Sequence, residues 1–159
     1  MTMIDTKIQA VLVVVHGVGV LIQGPSGSGK SLIALHLMNR GHRLVSDDLV
    51  ELFVCADGRL MGKPVEEKVR IELRGLGIFQ AHVLFDDATT SCSSIDFAVE
   101  LDTYDPRRDA GRMEPETGAL HLMGRDLLKI RLPLTRGSDP ALLVELLARV
   151  YKNQRTVHM

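Results

Sequence analysis

The chain has 159 residues, with 19 Lys and Arg against 20 Asp and Glu, two cysteines and no tryptophan. That length suits one domain with its own core, and the near-neutral charge gives no support to nucleic acid or an acidic membrane as partner. Few aromatics speak against base stacking, and Cys55 and Cys92, in no C-x-x-C spacing, read as small core residues of a reducing cytoplasm.

Met1 to Thr6 contains Asp5, and the apolar run from Ala10 to Val15 stops at His16 and Gly17, too short for a leader or a membrane span. A cytoplasmic protein is therefore expected. Ile8 to Val15 is rich in Val and Ile and reads as a strand, with Gly17 and Gly19 turning it back into a second strand, Val18 to Gln23. His16, at that turn, reads as a solvated histidine rather than a catalytic one.

Residues 24 to 31, Gly24-Pro25-Ser26-Gly27-Ser28-Gly29-Lys30-Ser31, fill the G-x-x-x-x-G-K-[ST] phosphate-loop pattern. Its glycines free backbone N–H groups to face phosphate oxygens, while the lysine and hydroxyl reach the outer phosphates and Mg²⁺. A helix follows through Leu32, Ile33, Leu35, Leu37 and Met38 and stops at Arg40-Gly41. Its N-terminus would face the anion.

Gly41 to Glu51 holds a short apolar strand, expected beside the loop strand, that ends in Asp47-Asp48. Ligands of open α/β sheets sit outside the carboxyl ends of strands, and alternation would aim the two carboxylates to opposite sides, one for Mg²⁺ and one for a proton. Leu49 to Cys55 is a further strand closed by a turn at Asp57-Gly58. Arg70 to Arg74 alternates polar and apolar residues, so Glu72 and Arg74 share one face, and Gly75 and Gly77 allow a tight path afterwards. Ile95 to Leu101 and Leu127 to Leu134 are strands. Between them Asp102 to Gly118, with Arg107, Arg108 and Arg112, reads as a mobile loop able to fold over a site. Ser138 or Asp139 caps a C-terminal helix over about 139–153, with Leu142, Leu143, Leu146, Leu147 and Val150 as its apolar stripe. The expected fold is a single sheet-centred α/β phosphate-loop domain, strand-rich with few helices.

Three blocks in order carry a family resemblance: Gly17 to Ser31, then Arg40-Gly41-His42-Arg43-Leu44-Val45-Ser46-Asp47-Asp48, then Ile71-Glu72-Leu73-Arg74-Gly75-Leu76-Gly77-Ile78. The chain resembles the catalytic, C-terminal domain of bacterial HPr kinase/phosphorylase, without the N-terminal domain of longer members. The resemblance implies a fold akin to phosphoenolpyruvate carboxykinase and an ATP- and Mg²⁺-dependent protein-serine kinase, also capable of phosphorolysis. It implies HPr, or an HPr-like phosphocarrier of the sugar phosphotransferase system, as partner, and a homo-oligomer, hexameric in the family. By position, Lys30 would hold the β- and γ-phosphates, Ser31, Asp48 and Glu72 the metal, Asp47 would take the serine proton, and Arg112 would stabilise the transferring group.

Departures from the pattern loosen the substrate side. Counting back from Lys30 places Gln9 where the family carries a histidine, and Gln9 cannot change charge near neutral pH. The family's Asp-Arg-Leu-Gly is Gly111-Arg112-Met113-Glu114 here, and Pro-Gly-Arg-Asn is Arg136-Gly137-Ser138-Asp139. The expectation is a kinase with weak phosphorylase activity. A small-molecule kinase of the same fold and a nucleotide-binding regulator stay open beside it.

Overall fold

A computed structural model describes residues 6–157. The chain enters as β1 (Lys7–Gln9), β2 (Val11–Val15) and β3 (Val18–Gln23), crosses through α1 (Lys30–Asn39), and returns as β4 (Arg43–Ser46). Then come β5 (Leu49–Val54), β6 (Leu60–Pro64), the hairpin β7 (Arg70–Leu73) and β8 (Gly77–Gln80), a single turn α2 (Ala81–Leu84) and the short β9 (Ser93–Ser94). The chain continues with β10 (Phe97–Thr103), α3 (Pro106–Asp109), β11 (Glu116–Leu122), β12 (Arg125–Leu134) and α4 (Pro140–Val157).

Six strands form the central sheet in the order β11-β12-β10-β3-β2-β4, and four form a second sheet in the order β1-β5-β6-β9. Strand alternation places Val11, Val13, Val15, Val20 and Ile22 in one core with Ile33 and Leu37 of α1 and Val144 of α4. Leu12 and Leu21 point the other way, into a second core with Val50, Leu52 and Leu60 of the smaller sheet. β2 and β3 are thus covered on both faces, which is why they read as continuous apolar runs. Close approach of the sheets also decides a glycine: a Cβ on Gly19 would lie 1.6 Å from the carbonyl oxygen of Ser94. Gly19 therefore belongs to β3, opposite Val14, and not to the turn expected of it. His16 and Gly17 alone make the turn, with φ of 52° and 77°, the positive values of a two-residue hairpin.

The single expected strand from Ile8 to Val15 is two strands in different sheets, broken at Ala10. The return from β4 to β5 changes sheet in the same way, across Asp47-Asp48. The two breaks are joined by the Ala10 N–H, which donates to the Asp48 carbonyl oxygen at 2.8 Å. Strand alternation therefore does not orient this carboxylate pair as expected, because both residues lie in a bend and Asp48 is left-handed, at φ 87°. Nor does β4 lie beside the loop strand. β2 separates them, and the parallel neighbour of β3 is β10.

Other expectations also shift. Cys92 is exposed and Cys55 half-buried, so neither is a core residue. Asp102 to Gly118 is pinned rather than free: Asp105 accepts from the Arg107 N–H at the start of α3, and buried Asp109 accepts from Arg131 Nη1 at 2.5 Å. An apolar pattern could not have announced that anchor, because it is an ion pair. The C-terminal helix is Pro140–Val157, capped by Asp139, whose Oδ1 accepts from the Leu142 N–H at 3.1 Å. It buries Ala141, Val144 and Ala148, while Leu142, Leu146 and Val150 are about half exposed. Small residues let α4 approach the sheet closely, and the leucine stripe is wider than that contact.

Candidate functional site

The phosphate loop leaves the carboxyl end of β3, as ligand loops of α/β sheets do. The Ser28 N–H donates to the Pro25 carbonyl oxygen at 3.0 Å, and Gly27 and Gly29 take φ of 83° and 95°. α1 starts from left-handed Gly29 with no side-chain cap, so its first-turn N–H groups keep the positive end of the helix open to an anion. Lys30 Nζ folds back to donate to the carbonyls of Gly24 (2.6 Å) and Pro25 (3.1 Å). Ser28 Oγ is buried with no hydrogen-bond partner among the described residues. These features suit a ligand rich in acceptor oxygens.

The loop forms one wall of a cleft of about 880 Å³. Facing it are Asp47 and Asp48 from the sheet-changing bend and Glu72, Arg74 and Leu76 from the β7–β8 hairpin. Ser31 Oγ donates to both Asp47 carboxylate oxygens, at 3.0 and 3.1 Å. Burial is the largest influence on Asp47 and pushes its pKa from 3.8 up to about 6; the Ser31 bond, Lys30 and the Glu72 N–H oppose it, while Asp48 adds to it. A carboxylate poised there can take a proton near neutral pH.

Asp48 is exposed and accepts from Gln9 Nε2 at 3.4 Å, so Gln9, at the end of β1, stands against the acidic pair. Glu72 pairs across the hairpin with Ile78, which sets its register in the cleft wall. The structure thus brings together Gly27, Gly29, Lys30, Ser31, Asp47, Asp48 and Glu72.

Arg112 is not among them. It lines a separate groove of about 340 Å³ beside α4, with Met113, Leu146 and Val150, and its Nε donates to the Arg108 carbonyl at 3.4 Å. Within one chain the guanidinium over the loop is that of Arg74: a Cβ on Gly27 would lie 3.6 Å from its terminal nitrogens. Reading Arg70 to Arg74 as an alternating strand already placed Arg74 on the face of Glu72. What that reading lacked was the fold-back that lays this face over the loop.

His16 is only partly solvated, and its Nε2 is buried. Its ring meets that of His42 edge to face at 4.9 Å, at the far end of α1 from the cleft.

The comparisons with known proteins agree with this geometry. The model of the family described as HPr Serine kinase C-terminal domain matches residues 2–159. Proteins named HPr kinase/phosphorylase from Streptococcus sanguinis (strain SK36) and Streptococcus pneumoniae (strain Hungary19A-6) are 36% and 38% identical over 149 residues, 92% of this chain. The chain spans 48% of the length of each. A solved structure titled Structure of the Hpr(Ser) kinase/phosphatase from Coxiella burnetii superposes with a TM-score of 0.86 at 28% identity, over 97% of this chain and 94% of that one.

Proposed function

The chain belongs to the HPr serine kinase C-terminal domain family, and on that premise we propose that it transfers the γ-phosphoryl group of ATP to a serine hydroxyl of HPr or an HPr-like phosphocarrier. One observation carries the reading: a half-buried carboxylate, Asp47, raised to about 6, lies beside an uncapped helix N-terminus inside a single cleft. In the proposed reaction the serine oxygen attacks the γ-phosphorus, the bond to the β-phosphate oxygen breaks, and ADP leaves. The serine proton passes to Asp47 and from there to solvent.

The remaining side chains position and neutralise. The loop N–H groups and Lys30 hold the β- and γ-phosphates, with Lys30 exchanging its two carbonyl partners for phosphate oxygens. Ser31, Asp48 and Glu72 are an all-oxygen set suited to Mg²⁺, which when bound offsets the phosphate charge. Arg74 supplies a cation over the loop within the same chain. For Arg112 to act on the transferred group, its segment must either move or serve a neighbouring copy, as a homo-oligomer would allow.

Gln9 marks the chemical limit of the site. Its neutral amide on Asp48 cannot exchange a proton near pH 7, so the reverse reaction of phosphoserine with phosphate is proposed to be weak. The test combines the purified chain, Mg²⁺, labelled ATP and HPr. Label on an HPr serine, lost with Asp47→Asn while nucleotide still binds, supports the reading. Label on no protein overturns it and leaves a small-molecule kinase of the same fold or a nucleotide-binding regulator, and nucleotide turnover indifferent to Asp47→Asn leaves the regulator. Phosphorolysis as fast as the forward reaction would remove the role given to Gln9.

A further inference from the structure

Three side chains from distant parts of the sequence converge at the C-terminal end of α1. His16 comes from the tip of the β2–β3 hairpin, His42 from just beyond α1, and Glu145 from α4. One ligating atom of each lies within 4.8 Å of the others. A tetrahedral cation with bonds of about 2.0–2.1 Å needs ligand atoms roughly 3.4 Å apart, so small side-chain rotations close the set.

The cluster is built rather than accidental. His42 follows a helix stop in which its N–H donates to Leu37 O at 3.0 Å and the Gly41 N–H to Met38 O at 3.0 Å, with Gly41 left-handed at φ 93°. Those two hydrogen bonds fix where the His42 ring leaves the backbone. His16 is held by its hairpin turn, and Glu145 by an 18-residue helix. Two of the three side chains are paired: His42 Nε2 meets Glu145 Oε2 at 2.8 Å, and Arg40 bonds the other Glu145 oxygen. The third is not. His16 Nε2 is buried and has no hydrogen-bond partner among the described residues, although a buried polar nitrogen without a partner is costly.

We infer that His16, His42 and Glu145 form a site for a divalent cation of the zinc class, independent of the nucleotide cleft. Two imidazoles and a carboxylate are a known ligand set for Zn²⁺, with water in the fourth position, and imidazole discriminates against Mg²⁺. On loading, the ring proton of His42 moves from Nε2 to Nδ1, so that the neutral ring offers Nε2 to the cation in place of its bond to Glu145 Oε2. Burial, then the charge of Arg149, hold the pKa of His16 below its usual 6.5, a direction that favours the neutral ring. Arg40, Arg149 and Lys152 oppose a second cation here, while Asp139 offsets Arg40 at 2.9 Å. The site lies at the other end of a ten-residue helix, about 15 Å along its axis from the phosphate loop. A bound cation ties the hairpin and α4 to the end of α1.

The test is Co²⁺ titration of the chelator-stripped full chain in excess Mg²⁺, followed by visible absorption, competition with Zn²⁺ and thermal unfolding. The expected result is one saturable equivalent with four-coordinate cobalt bands and a higher Tm. His16→Asn, which suits the left-handed turn, should weaken affinity roughly tenfold or more while the metal-free Tm and nucleotide binding hold. Should that variant fail to fold, Glu145→Gln, which can still accept from Arg40, is expected to give the same loss. No saturable signal, an equal signal in the variant, or a signal abolished by Asp47→Asn and kept by His16→Asn would each overturn the inference. The last outcome would place the cation in the cleft.

Discussion

The two ends of α1 use the same helix in opposite ways. At its N-terminus the backbone is uncapped, Gly29 brings no side chain, and Lys30 rests on carbonyls it can leave. At its C-terminus almost everything is paired: the carbonyls of His36, Leu37 and Met38 accept from the turn, Arg40 binds Asp139 and Glu145, and Glu145 holds His42. The first end keeps binding capacity for a ligand. The second spends it on holding α4. Among the described residues His16 Nε2 is the exception, and it belongs to the proposed cation site.

The contrast can be broken experimentally, and the largest effect belongs to the open end. Asp47→Asn should lower phosphoryl transfer about 10²- to 10⁴-fold while nucleotide still binds, read by labelled phosphate transfer. It should also stabilise the fold at alkaline pH. The folded pKa of Asp47, about 6, exceeds its usual 3.8, so between these values the folded chain holds a proton that the unfolded chain has lost. Stability contributed by this group therefore falls as pH rises from about 4 through 6, and the asparagine variant should gain on the order of 2 kcal/mol at pH 8 and nothing near pH 3.5. A lower Tm for the variant at pH 8 would show that this end is structural after all. For the parent chain, turnover should rise with pH through about 6 as the carboxylate forms.

Arg74→Ala comes next, with kcat expected to drop roughly 10²-fold and Tm nearly unchanged, since the side chain spans the loop rather than the core. An unchanged kcat would return the catalytic arginine to the segment of Arg112. At the paired end the signs reverse. Glu145→Ala should lower Tm by roughly 3–6 °C, because it takes the carboxylate partner from His42 and leaves Arg40 with Asp139 alone, with kcat measured well below Tm within about twofold of the parent. Smallest is Asp139→Ala, which removes the α4 cap and one Arg40 partner; a fall of about 2–4 °C is expected in differential scanning calorimetry. A kinetic effect from either would mean that the two ends communicate.

Glu145 shows why pairing at that end persists across pH. Burial raises its pKa, but the bonds from His42 and Arg40 together outweigh burial and hold it below the usual carboxylate range. Its contribution is present above about pH 4.5 and is lost as acid protonates it.

Much of the site was legible because its signals are local. The phosphate loop, its strand and its helix occupy consecutive residues, and conformations set by neighbouring glycines and by helical or strand periodicity can be read in a short window. Asp47-Asp48 was legible as a pair but not in its geometry. The orientation of the two carboxylates follows from a change of sheet that involves Ala10, a residue no window around Asp47 contains.

Arg112 and His16 mark the boundary most sharply. Both have unremarkable neighbours along the chain, and their surroundings are decided by what the hairpin, α3 and α4 pack against. Sequence alone determined the Gly-rich loop between its strand and its helix, the strand-rich α/β class and both long helices, since each arises from contacts within a few residues. Tertiary structure alone decided that Arg74 rather than Arg112 overlies the loop, that Asp109 and Arg131 pin a charged segment, and that two histidines and a glutamate meet at the far end of α1. Those outcomes depend on pairings between distant segments, for which side-chain pattern along the chain carries no register.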